Sequence, residues 1–271
     1  MGALGYLAAI LVAPVGFVFW RALEHGFGRF WDAITTSEAV HALKLSVLIA
    51  VICVVANAIF GILCALAIVR WKVPGRGLLN ALVDLPLALS PVVVGVGLFL
   101  VYNSRTGWLG PWLQDHGIQM LFALPSMILA TVFVSLPFVV REVVPLLREI
   151  GTDQEEAAAT LGASGFATFW RITLPAIRWG VAYGVVLTTA RALGEFGAVA
   201  VVSGHIVGRT ETLPLYVQDR HDAFDLVGLN ASAVVLAVMA MSTVLALTLF
   251  RPRGPSAGGP PRKRIGLPAD Y

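Results

Sequence analysis

The sequence predicts an all-α fold, a polytopic helical bundle embedded in a membrane, on three observations. Of 271 residues, 58% are hydrophobic and only 13% charged, with a mean hydropathy of +0.82, where a soluble domain carries roughly a quarter charged residues. The apolar residues collect in six blocks, 4–20, 45–69, 78–101, 121–140, 181–202 and 229–250, which at about 1.5 Å per helical residue are long enough, or nearly so, to cross about 30 Å of hydrocarbon. The blocks are continuous. That suits helices, which satisfy their backbone polar groups within the segment, and not the alternating strands of a barrel. Six transmembrane helices are therefore expected.

The first block has no Lys or Arg ahead of it, contains Pro14 and ends at Trp20 without a clear small-residue cleavage site, so it reads as a retained anchor and not a cleaved signal. The second holds both cysteines, Cys53 and Cys64. Their spacing is neither a redox pair nor a metal-ligand pattern, and helix packing accounts for them. The third block is interrupted by Pro86 and Pro91, with Ser90 between them and Asp84 before them. Proline removes a backbone donor and breaks a helix, which a membrane tolerates where the segment lines a cavity or packs on protein. A pathway-lining broken helix is the preferred reading, with a structural kink as the alternative.

The fifth block carries Arg191 and Glu195 at positions i and i+4. Each charge costs about 2.5–3.5 kcal/mol at a helix centre, so the two are expected to pair on one face toward the bundle interior. Such a pair serves either as a packing device or as a gate. Gly180 and Gly184 form a small-xxx-small pair, and Gly194 and Gly197 allow further close helix approach. Trp20, Tyr102, Trp108, Trp112 and Trp179 fall near block ends, where an interfacial aromatic belt would place them. His205 and Arg209 follow the fifth block; they are read first as loop structure.

Orientation follows from the basic residues. Arg70, Lys72, Arg76, Arg141, Arg148, Arg171, Arg178 and the tail cluster Arg251, Arg253, Arg262, Lys263 and Arg264 lie on one side, against Arg21, Arg29, Arg105, Arg209 and Arg220 on the other. The positive-inside rule then puts both termini in the cytoplasm. The Pro-, Gly- and Arg-rich tail, 251–271, has little to bury and is expected to be disordered. The formal net charge of +3 sits in a few clusters and supplies no basic face for nucleic acid.

The loop of residues 141–179 is the least membrane-like part of the chain. Thr152 with Glu155, or Asp153 with Glu156, has the spacing of a capping box, and all three acids lie at the positive end of a helix dipole. Ala157, Ala158 and Ala159 favour helix and add little bulk, and Gly162 can end it in a left-handed turn. Ser164 can cap a second helix that Pro175 helps to end, with Phe166, Phe169, Trp170 and Ile172 as apolar anchors and positions 166, 169, 170 and 173 on one face that can lie against the span ends. A short exposed helix braced in this way suits the transmission of displacement; an ordinary amphipathic surface loop fits these features equally. The three lysines, at 44, 72 and 263, never follow a glycine. A GxxxxGK phosphate loop is thereby excluded, so any ATP hydrolysis falls to a partner. The sequence also lacks HExxH and GxSxG patterns and shows no catalytic constellation.

Glu156, Ala157, Ala158, then Gly162, then Ile172, Leu174 and Pro175 reproduce in full the pattern EAA, three residues, G, nine residues, I-x-LP. The chain thus resembles the bacterial ABC importer permeases, in which this EAA loop precedes the penultimate span. The resemblance implies a type I (MetI-like) permease fold in one transmembrane domain, 1–250, whose loop docks through those seven residues into a groove on a cytoplasmic ATPase subunit. "DLPLALSPVVVGV" (84–96) and "ARALGEFGAVAVVSGHIVGRTETLPLYV" (190–217) look like the sulfate and thiosulfate branch, most of all its CysW-type subunits. The LGEFG core is shared with molybdate and tungstate permeases, which keeps those anions as the alternative cargo.

The resemblance covers about residues 40–250. It implies the bacterial inner membrane with its lipid, a second permease of CysT type, an ATPase dimer and an extracytoplasmic sulfate-binding protein. His205 and Arg209 are the candidate contacts with that binding protein. Asp84, Pro86, Ser90, Pro91, Arg191 and Glu195 are the candidate pathway or gate residues. No cofactor is expected on this chain, ATP and Mg belonging to the ATPase. A stand-alone anion channel or a membrane enzyme is the alternative from another class.

Overall fold

The computed structural model describes residues 2–71 and 74–250, and no β-strand occurs among them. In chain order the helices are α1 (Gly2–Leu23), α2 (Phe27–Ile34), α3 (Ser37–Val69), α4 (Arg76–Ala88), α5 (Pro91–Tyr102), α6 (Gly110–Asp115), α7 (Leu124–Ile150), α8 (Asp153–Thr160) and α9 (Gly165–Thr168). A π turn (Phe169–Thr173) follows, then α10 (Leu174–Leu193), α11 (Gly197–Ser203), α12 (Leu213–Asp222) and α13 (Leu226–Phe250). The tail 251–271, with its expected disorder and its basic cluster, and Lys72 lie outside the described residues.

Four stretches among the described residues are long and apolar enough to cross a membrane, namely Ser37–Val69, Leu124–Ile150, Gly165–Leu193 and Leu226–Ala246. A fifth candidate is the pair α4 and α5, which meet at 111°, and α1 contributes the shorter apolar stretch Val12–Leu23. The six expected blocks are all helical, but they are not six straight spans.

The bundle is built around α7, with α3 and α10 packed along it and on each other. Glycines let these backbones approach. A Cβ on Gly61 of α3 would stand 2.7 Å from the Val139 side chain of α7, and one on Gly184 of α10 would stand 2.7 Å from the Val139 Cα. One valine is thus clasped from two sides, a contact that in lipid depends on van der Waals fit. Gly180 repeats the device one turn away, against Glu142 and Leu146. Deeper along the same seam, Asn57 donates to the Ser135 hydroxyl (2.9 Å) and the Val132 carbonyl (3.2 Å). Cys53 sits against Ser135 at 3.1 Å, a fully buried packing residue with a polar neighbour.

Two expectations are corrected. The third block breaks at Pro91 but not at Pro86: Pro86 is buried within α4, the chain turns at Leu89 and Ser90, and Pro91 opens α5. Proline at a first helical position loses no bond that the helix would have made, which is why the turn falls just before Pro91. The fifth block, expected to run straight through 181–202, instead ends its helix at Leu193 and restarts at Gly197. The two interruptions face each other across the α5–α11 contact. A Cβ on Gly197 would meet Pro91 and Val92 at 3.2 Å, and one on Gly95 would lie 2.8 Å from the Ala198 carbonyl.

These contacts set an expectation for stability. Gly184→Leu forces α10 off α7, and overpacking of this kind costs about 1–3 kcal/mol; the midpoint of thermal unfolding in detergent should fall by several degrees. Gly97→Ala, where an added methyl meets nothing within 4 Å, should not lower it.

Candidate functional site

The loop after α7 forms the projecting helix that its composition predicts. No residue of α8 is buried, and Glu156 and Ala157 face outward. Gly162 ends the helix with φ +86°, and the Ala163 N–H reaches back to the Ala158 carbonyl at 2.9 Å, the closure of a Schellman turn. Ser164 caps α9 by accepting from the Ala167 N–H at 3.3 Å.

Three details differ from expectation. Neither capping box forms. Thr152 has φ −110° and ψ −7°, outside the extended region a side-chain cap requires, and its hydroxyl donates to Glu156 at 2.7 Å instead. Glu155 turns away from the helix end to Arg70, with Nε to Oε2 at 3.0 Å, and accepts from the Thr173 hydroxyl at 2.8 Å.

Leu174 and Pro175 do not stop the second helix. The π turn carries the chain from α9 into α10, Pro175 sits in the first turn of α10, and Leu174 donates back to Phe169, five residues earlier. A proline lacking its donor fits directly after that wider turn. The extra residue also rotates the face: Thr168 and Thr173 are buried, while Phe166 and Trp170 stand 76% and 53% exposed and pair edge to face. Leu174 packs against the buried cluster that contains Leu147 and Ile177, and Ile172 is half-buried.

Of the pathway candidates, Pro91, Arg191 and Glu195 lie at or beside the two breaks, Ser90 is exposed at the turn, and Asp84 and Pro86 lie further back on α4. Arg191 and Glu195 form the expected ion pair at 2.7 Å, yet Glu195 lies beyond the end of α10. Its carboxylate is 3% exposed and also accepts the Ala198 N–H of α11 at 2.9 Å. The break is therefore built around an acid that joins both helix segments, and its charge is held by a partly exposed guanidinium. Glu195 borders a small cavity with Ser46, Thr131 and Thr212, polar groups from α3, α7 and the start of α12. Asp84 pairs with Arg141 at 3.1 Å, tying α4 to α7. Pro91 touches α11, whereas Ser90 marks the turn without a side-chain cap.

The loop between α11 and α12 folds on itself. Thr210 donates to the Ser203 carbonyl at 2.6 Å, and the Ser46 hydroxyl accepts the Leu213 N–H at 2.8 Å. His205, at φ +50°, brings Nδ1 to 3.6 Å from Asp219 of α12, while Arg209 is exposed. Two residues after Arg209 the chain buries Glu211 to 1% exposure, a residue not singled out from the sequence. Burial, then the neighbouring Asp219 carboxyl, pushes Glu211 up to about 7, with Arg220 pulling it down and Glu38 adding to the rise. Among the described residues no group of three or more His, Cys, Asp or Glu is placed to hold a metal ion.

The family described as binding-protein-dependent transport system inner membrane component matches residues 57–253. The chain is 47% identical to the sulfate transport system permease protein CysW of Synechococcus elongatus, over 92% of this chain and 86% of that one. It is 36% identical to the sulfate transport system permease protein CysT of Escherichia coli, over 90% and 87% of the two chains. Among solved structures, a bacterial alginate ABC transporter in complex with an alginate pentasaccharide-bound periplasmic protein is similar in fold. Its TM-score is 0.75 at 20% identity, covering 93% of this chain and 92% of that one.

The raised value of Glu211 favours its neutral form in the folded loop. That contribution to stability is complete below the ordinary carboxylate value of 4.5 and is lost as pH rises through about 7. The thermal midpoint of the purified chain should therefore fall between about pH 5 and pH 8, and Glu211→Gln should flatten this fall.

Proposed function

The chain belongs to the binding-protein-dependent transport system inner membrane components, and on that premise we propose that it is the CysW-type permease subunit of an ATP-driven importer of sulfate or thiosulfate. The observation that carries the mechanism is α8, a helix with no buried residue, ended by the left-handed Gly162 and continued through the π turn into a membrane-length helix. A helix so placed serves as a handle. An ATPase seated on Glu156, Ala157, Ala158 and Gly162 would move α10 through Ile172, Leu174 and Pro175. Coupling requires that α8 be gripped unequally in the two ATPase states, because a ligand shifts an equilibrium only through differential affinity.

In this reading the single transmembrane domain spans 1–250 and the loop 141–179 faces the cytoplasm together with both termini. A CysT-type permease completes the path, ATP and Mg are held by the ATPase dimer, and a sulfate-binding protein delivers the anion to an outer surface that includes Arg209 and His205. The likeness to CysW, at 47% identity, supports sulfate as cargo. Molybdate and tungstate share its tetrahedral shape and charge, and the LGEFG segment at 193–197 keeps them as the second reading.

Asp84, Pro86, Ser90, Pro91, Arg191 and Glu195 act as gate elements and not as a tight anion site. The Arg191 guanidinium is already neutralised by Glu195, and a conducting path functions only if its cargo can leave. Movement of α11 against α5 would expose Arg191 to a dianion only while the pair is apart.

The test is uptake of labelled sulfate, thiosulfate and molybdate into vesicles carrying the assembled transporter, with and without this subunit. ATP-dependent sulfate uptake that requires the chain is expected; transport by the chain alone without ATP would replace this reading with that of a channel. Gly162→Asp and Glu156→Lys should leave membrane insertion intact while lowering ATPase co-purification or sulfate uptake at least tenfold.

A further inference from the structure

α3 ends in Arg70, whose own N–H still closes the helix on the Leu66 carbonyl at 2.8 Å. Its side chain, 11% exposed, leaves the membrane span and divides between two elements. Nε faces Glu155 of α8 at 3.0 Å, and Nη2 donates to the carbonyl of Gly151, the residue that caps α7. The second carboxylate oxygen of Glu155 accepts the Thr173 hydroxyl of the π turn, 2.8 Å away. Two side chains therefore join α3, α7, α8 and the start of α10 at one point.

The surroundings give this point its weight. A cleft of about 520 Å3 opens between α3 and the α8–α9 arm, with Leu63, Leu66 and Trp71 on one wall and Ala159, Phe166 and Phe169 on the other. Close packing transmits displacement poorly across an open cleft, because a gap of about 1 Å already forfeits up to about half of a dispersion contact. The half-buried ion pair persists there, since a charge pair at reduced exposure is screened less than one in bulk water. Glu155 is also the side chain of α8 that makes these polar contacts with the body, its neighbours Glu156 and Thr160 bonding within the loop itself.

Resting on the coupling role proposed for α8, we infer that Arg70 and Glu155 are positioning residues that make α3 move with the ATPase-gripped helix. Without this node α8 still presents Glu156, Ala157, Ala158 and Gly162 to the ATPase. Its displacement reaches α10 through the backbone but loses the direct link to the Arg70 end of α3, which is then moved only through the Val139 seam it shares with α7 and α10. The expected defect is uncoupling, in which the complex assembles and hydrolyses ATP while moving little anion.

The experiment uses the complete transporter in proteoliposomes with labelled sulfate outside and ATP available to the ATPases. Co-purification of the ATPase, the ATPase rate, sulfate moved per ATP and the thermal midpoint are measured for wild type, Arg70→Glu, Glu155→Arg, the double exchange and the milder Glu155→Gln. Each single charge reversal should keep ATPase co-purification within about twofold and lower sulfate moved per ATP at least tenfold. Glu155→Gln, which keeps an acceptor for Thr173 but not the charge, should fall between; the double exchange should recover at least a third of wild-type coupling. Unchanged sulfate per ATP in the single variants overturns the inference, as does a double exchange that assembles normally without recovery. A coupling loss that merely tracks the thermal midpoint across the series also overturns it. Failure of the wild-type chain to co-purify the ATPase would instead overturn the coupling role of α8, and the inference with it.

Discussion

The structure depends first on the clasp at Val139, where Gly61 of α3 and Gly184 of α10 bring two backbones against α7. In lipid no hydrophobic drive pulls helices together, because a tail is as apolar as a leucine, so only fit and internal polar contacts hold a bundle. The clasp supplies fit, and the buried Asn57–Ser135 pair beside it supplies a polar contact that fixes the sliding register of α3 on α7. Everything at the two ends of the bundle is placed relative to this three-helix stem.

On one side of the stem the chain permits itself broken helices. Free backbone groups at membrane depth are costly unless protein satisfies them, and the structure answers by setting one interruption against the other. α5 begins at Pro91 where α11 begins at Gly197, Gly95 lies close enough to the Ala198 carbonyl for glycine alone, and Glu195 satisfies a donor at the start of α11 while balancing Arg191. α11 is held there by the Glu195 contacts, by the close glycine approach to α5, and by Ala198, Val199 and Val202, which are buried in one cluster with Val94, Met127 and Val134. A continuous seam on one side and an interrupted pair on the other are compatible with the transporter reading proposed above.

The projecting loop illustrates how sequence patterns and tertiary demand divide their work. The helix over Asp153–Thr160 and its left-handed end at Gly162 follow from local propensity, and both were legible. The capping box was misread because Glu155 had a better use: a carboxylate near a half-buried guanidinium gains more than one capping a solvent-exposed helix end. Pro175 was misread as a stop because proline usually ends an α-helical pattern, and a π turn, which has no reliable sequence signal, absorbed it. Arg70 was visible only as a charge that orients the chain, since its partner is distant in sequence, and Glu211 only as a polar loop residue, since its burial comes from the fold of 203–213.

By itself the sequence determined that the chain is a helical membrane protein, where its apolar blocks lie, that it lacks a phosphate loop, and that a short helix ends at Gly162. These are consequences of hydropathy and backbone propensity, which act over a few residues and need no partner. Tertiary structure alone decided that the fifth block breaks at Gly194 to Phe196, that the third turns through 111°, and that Arg70, Gly151, Glu155 and Thr173 converge. A buried or half-buried charge is stable only beside its counter-group, and which counter-group arrives is settled by packing between helices far apart along the chain.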